Sequence, residues 1–129
     1  MLRAAGLVAI LALAAPAFAA DAPPAPVRHM LQSVPASGAP GQQINVAEVV
    51  FAPGAKLGWH THPGEEVGVV VSGRLKVEIE GKPPLIVTPG ESFMIPRGTV
   101  HQASAPEGET HVVSTYVVDK DKPLATLRP

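Results

Sequence analysis

The sequence predicts an all-β fold, an antiparallel sandwich or barrel in a single domain. Gly- and Pro-containing turn signals recur roughly every 8 to 12 residues, and the segments between them are short. Those segments either alternate apolar with polar residues or form brief apolar runs, as strands do. No helical period of useful length occurs after residue 19. At 129 residues the chain has room for one domain.

Residues 1–19 stand apart. Arg3 supplies a positive start, Ala4 to Ala15 is an unbroken apolar run, and Ala17-Phe18-Ala19 reads as a small-x-small cleavage site. A membrane span needs about 20 apolar residues, and Pro16 with Asp21 cuts this run short. The expectation is a cleaved signal peptide, a mature chain beginning at Ala20, and export to the periplasm or beyond. Residues 20–42 follow as a Pro/Ala-rich linker (Asp21 to Val27) and a loop carrying Pro35, Gly38 and Pro40. His29 at the linker's end has no partners at fixed spacing and reads as a solvated bystander.

Within residues 43–118, Ile44 to Phe51 is strand-like and Leu57 to His62 is the next strand. Val67 to Val71 is a continuous apolar run. Leu75, Val77 and Ile79 alternate with Lys76, Glu78 and Glu80 as on a half-exposed strand, and Gly81-Lys82-Pro83 turns the chain. Leu85 to Thr88, Ser92 to Ile95, Val100 to Ser104 and His111 to Val118 complete the set. Gly54, Gly73 and Gly90 fall where strands end and predict positive φ. The tail, residues 119–129, is polar and shows no assignable chemistry.

The chemistry lies in two stretches, Gly54-AKLGW-His60-Thr-His62-PGE-Glu66-VGVVVS-Gly73 and Gly90-ESFMI-Pro96-Arg97-Gly98-TV-His101. Alternate residues of a strand face one side, so His60 and His62 point into the same space, roughly 6.6 Å apart at the backbone. Both imidazoles can then reach one ion at about 2.1 Å. The Pro63-Gly64 turn can return the Glu66 carboxylate to that point, and the Pro96-Arg97-Gly98 turn can deliver His101 to it. Three nitrogens and one carboxylate suit a divalent Fe, Mn, Ni, Cu or Zn better than Ca or Mg, and leave coordination positions open.

These stretches resemble the cupin family. The first matches its motif Gly-x5-His-x-His-x3-Glu-x6-Gly at every specified position. The second matches Gly-x5-Pro-x-Gly-x2-His and departs only where the family usually has Asn and this chain has Ala105. The resemblance implies a small double-stranded antiparallel β-barrel, the cupin jelly roll, with His60, His62, Glu66 and His101 as the ligands of one metal. It also implies dioxygenase-like cleavage or isomerisation of a small organic substrate. The short chain, the lack of an evident base and Ala105 motivate the second option, a non-catalytic metal- or ligand-binding module.

Composition narrows the partners. After signal removal nine basic face eleven acidic side chains, a charge of −2 with no Lys/Arg cluster, which argues against nucleic acid and anionic membranes. With no Cys, disulfides, thiol catalysis and thiolate ligands are excluded. A barrel of this size buries a modest core, so a homodimer covering extra sheet surface is a reasonable expectation. Around the motif, Trp59 alternates to the face opposite His60, Glu65 misses the motif spacing by one, and Phe93, Met94 and Ile95 read as core. His111 and Tyr116 fall on opposite faces of the last strand. Arg74 and Arg97 are candidates to receive a substrate carboxylate, and no general base stands out beyond the four ligands.

Overall fold

The computed structural model describes residues 20–129, so the expected signal peptide and its cleavage site lie outside the described residues. Among the described residues ten strands form two five-stranded sheets, and every pairing is antiparallel. The strands are β1 (Val27–Pro35), β2 (Gln42–Phe51), β3 (Lys56–Thr61), β4 (Gly64–Ser72) and β5 (Leu75–Ile79). They continue with β6 (Leu85–Val87), β7 (Ser92–Ile95), β8 (His101–Ser104), β9 (Thr110–Asp119) and β10 (Thr126–Leu127). One sheet runs β1-β2-β9-β4-β7 and the other β10-β3-β8-β5-β6. This is the all-β jelly roll expected from the turn spacing and the motif.

The core is where the two inner faces meet. Val49, Phe51, Val70, Phe93, Ile95 and Val112 of the first sheet pack with Leu75, Val77 and Val87 of the second. Burial alternates strictly along β9 and through most of β2, the period of two that a one-sided sheet requires. Gly54, Gly73 and Gly90 have φ of 76°, 82° and 85°, as their positions at strand ends predict.

Three local differences from the sequence reading have physical causes. β1 occupies Val27–Pro35, where linker and loop were expected. It is an edge strand held by its ladder to β2, with all but Arg28 exposed, so it leaves no hydrophobic period to read. β10 lies in the tail and pairs Thr126 with Thr61 and Leu127 with His60. In the apolar run Val67 to Val71, only Gly68 and Val70 face inward; Val67, Val69 and Val71 are exposed, as is Met94 on the neighbouring β7.

Gly68 is required by that arrangement, because a Cβ there would run into the Phe93 ring. Gly68→Ala should therefore cost about 1–3 kcal/mol of stability from overpacking. Urea unfolding measures this, and adding Phe93→Leu should recover part of the loss; a neutral single variant would contradict the packing.

Candidate metal centre

Strand pairing assembles the four motif residues from both sheets. His60 on β3 lies opposite His101 on β8, with ring centroids 4.1 Å apart. His62 stands two residues on, just beyond β3, and faces the same side. Glu66 comes from the other sheet, on β4, between Ile95 of β7 and Tyr116 of β9. It is part of the strand rather than of the preceding turn. All four residues are buried, and the three histidines can hold a metal ion, their ligand atoms lying within 4.8 Å of one another.

Each imidazole is held from behind through Nδ1. His60 Nδ1 lies 2.7 Å from the Gly58 carbonyl, His101 Nδ1 2.8 Å from that of Thr99, and His62 Nδ1 2.6 Å from that of Leu124. A carbonyl only accepts, so each Nδ1 carries the proton and each Nε2 presents a lone pair to the centre. His60 Nε2 and His62 Nε2 are 3.2 Å apart. Glu66 Oε2 lies 3.0 Å from His62 Nε2 and 3.4 Å from His101 Nε2, while Oε1 accepts a 2.8 Å bond from Ser114 Oγ. His101 Nε2 is buried with no hydrogen-bond partner among the described residues. Inward lone pairs and a carboxylate at these separations repel one another unless a cation lies among them. The donor set therefore fits a transition-metal ion.

Electrostatics agree with that reading. Burial pushes the His60 imidazole down to about 4 against the pull of the Gly58 carbonyl, and His101 and His62 press it the same way. Burial alone would raise the Glu66 carboxyl, but the adjoining His101 and His62 imidazoles and the bond from Ser114 hold it well below the usual carboxylate range. Burial and the nearby Glu66 push the Tyr116 phenol up to about 12, so it stays protonated.

Metal-free protein should accordingly be acid-labile. Between pH 6.5 and about 4 the unfolded chain protonates His60 and the folded one does not, a loss of roughly 3 kcal/mol across the window. Below pH 4.5, the ordinary Glu value, the unfolded carboxylate takes a proton that folded Glu66 refuses, and the loss deepens. Urea titrations of chelator-treated protein at pH 7, 5.5 and 4 read this directly, and constant stability over that range would contradict it.

The cavity beside the histidines holds about 380 Å³ of empty volume and is partly open to solvent. Its floor is the apolar core, including Val49, Phe51, Leu75 and Phe93; its polar wall is the four motif residues with Ser114, Tyr116 and Arg28. Neither Arg28 nor Ser114 stood out in sequence. Strand alternation places Ser114 on the same face as Tyr116, and a hydroxyl in the middle of that inward row is the signal that could have found it.

Other candidates lie elsewhere. Arg97 binds Asp119 and the Pro63 carbonyl, and Arg74 pairs with Glu107, both outside the cavity. Glu65 and His29 are exposed, and Trp59 is 36% exposed on the outer face. His111 lies outside between Glu48 and Glu109. Ala105 is fully buried, its backbone bonded to Gly54 and Ala55, so the position where the motif usually has Asn serves packing. The tail, without assignable chemistry in sequence, supplies the Leu124 carbonyl behind His62.

A cupin-domain family model matches residues 47–118, more than half of the chain. The chain belongs to the cupin family. This cupin is 34% identical over 82 residues to oxalate oxidase 1 of Hordeum vulgare, a match covering 57% of this chain and 41% of that protein. To the putative germin-like protein 3-4 of Oryza sativa subsp. japonica it is 39% identical over 66 residues, 45% of this chain and 29% of that one. It thus spans less than half the length of these curated relatives. A cupin-like protein of Thermotoga maritima superposes with a TM-score of 0.65 at 30% identity, covering 80% of this chain and 75% of the other.

Proposed function

We propose that this cupin is an exported protein in which His60, His62, Glu66 and His101 hold one divalent transition metal (Fe, Mn, Ni, Cu or Zn), and that it transforms a small organic molecule in the adjoining cavity. The observation that carries the reading is the set of three imidazoles, each tied through Nδ1 to a backbone carbonyl and each aiming Nε2 at one point. Bound there, the metal supplies Lewis acidity or redox chemistry at open coordination positions.

This chain's own residues set the conditions. The Glu66 carboxylate offsets one of the ion's two charges, and Ser114 fixes that carboxylate's other oxygen. Tyr116, protonated, can donate to a ligand, and the apolar floor keeps water from the far side. None of the residues lining the cavity is a carboxylate or imidazole other than those four. That supports chemistry driven by the metal, oxygen-dependent cleavage or isomerisation, over proton abstraction by a free side chain. The relation to an oxalate oxidase points the same way.

Ala105, buried where the motif usually has Asn, favours a second reading, a module that holds metal or ligand without turnover. A substrate screen separates the two. Protein reconstituted in turn with Fe, Mn, Ni or Cu is incubated with small organic acids, keto acids and sugars under air and under nitrogen, with products followed by mass spectrometry. The enzymatic reading expects a product that His62→Ala does not form; ligand-dependent thermal shifts with no product under any condition would leave the binding module. Export is tested by fractionating the native cell, where the mature amino terminus should be Ala20.

A further inference from the structure

Among the described arginines, three are matched to surface carboxylates: Arg74 to Glu107, Arg97 to Asp119 and Arg128 to Glu80. Arg28 is the exception. In the β1–β2 register it lies opposite Val49, whose side chain is buried in the barrel, so Arg28 projects to the same inner face. It lines the cavity beside the histidines, its guanidinium carbon 5.6 Å from the Tyr116 ring centre; that ring is itself 5.0 Å from the ring of His62. Its Nε is buried and has no hydrogen-bond partner among the described residues.

A buried guanidinium donor without an acceptor is costly, and a planar oxyanion satisfies it best. The cavity cannot provide one. Its one carboxylate, Glu66, faces His62 and His101 with one oxygen and accepts from Ser114 with the other. We propose that Arg28, packed on the Tyr116 face, is the carboxylate-recognising residue of this pocket, and that the ligand is a short organic acid. Its carboxylate meets the guanidinium while an oxygen at its other end faces the histidine cluster. The inference rests on the metal-site reading and extends it by assigning the ligand's charge and the residue that selects it.

The test uses zinc-loaded full-length mature protein as wild type, Arg28→Gln and Arg28→Lys. Zinc per chain is measured before and after calorimetric titration with malonate, pyruvate, acetate and the neutral malonamide. Wild type should bind malonate or pyruvate at least tenfold more tightly than acetate or malonamide. Arg28→Gln should weaken the preferred acid by about 10- to 100-fold, the worth of a charge-assisted hydrogen bond. Its zinc content should stay that of wild type, and Arg28→Lys should recover part of the affinity. Equal malonate and pyruvate affinities in wild type and Arg28→Gln would overturn the proposal, as would a wild type that binds none of the acids or shows no preference among the four probes. A wild type that takes up no zinc would instead overturn the metal-site reading, and this inference with it.

Discussion

A chain ending at Lys122 should bind its metal about 10- to 100-fold more weakly than the full mature chain, the usual cost of losing a group that orients a ligand histidine. The truncation removes the Leu124 carbonyl, 2.6 Å from His62 Nδ1, together with the β10 pairing that fixes this segment along β3. Without that acceptor the His62 ring is free to rotate, and its proton can move to Nε2, where it blocks the lone pair. Leu124→Ala is the control, because it keeps the carbonyl and should stay within a few-fold of the full chain. Competition against a chromogenic chelator gives both affinities. A truncated chain that matches full-length protein would show that the tail has no part in the site.

His62→Ala should abolish metal-induced stabilisation. A metal at a hundred times its dissociation constant adds about 2.7 kcal/mol to the folded state, seen as an upward shift in the thermal midpoint of wild type. Removing His62 takes away one nitrogen and leaves Glu66 Oε2 without its closer imidazole, at 3.0 Å. Saturating zinc or nickel should then leave the variant's melting curve nearly where it stands without metal. Comparing each protein with itself, with and without the ion, separates the site from any loss of packing around the missing ring. An undiminished shift in His62→Ala would mean that the metal binds elsewhere.

The parts of the site written in side-chain identity and spacing were legible in the sequence. His60 and His62 differ by two, so a strand puts them on one face, and the turn before His101 carries its own Pro and Gly signature. Backbone acceptors have no such signature. Any residue supplies a carbonyl, which is why the role of Leu124 could not be read from a polar, Pro-containing tail. β1 was missed for a related reason: an edge strand stabilised by its ladder need not alternate, and with it went Arg28, whose inward direction follows only from its register opposite Val49. Arg74 and Arg97 were equally basic on paper, yet their loops carry them to surface carboxylates. In the run Val67 to Val71, composition could not tell which side faces the core. The small inward residue Gly68 and the bulk of Phe93 decide it.

Elemental analysis after equilibrium dialysis against trace transition metals, on protein purified from its native compartment, tests the central claim most directly. The expected result is about one divalent metal per chain for wild type and close to none for Glu66→Ala combined with His101→Ala. Equal metal content in the two proteins would contradict a centre built by His60, His62, Glu66 and His101.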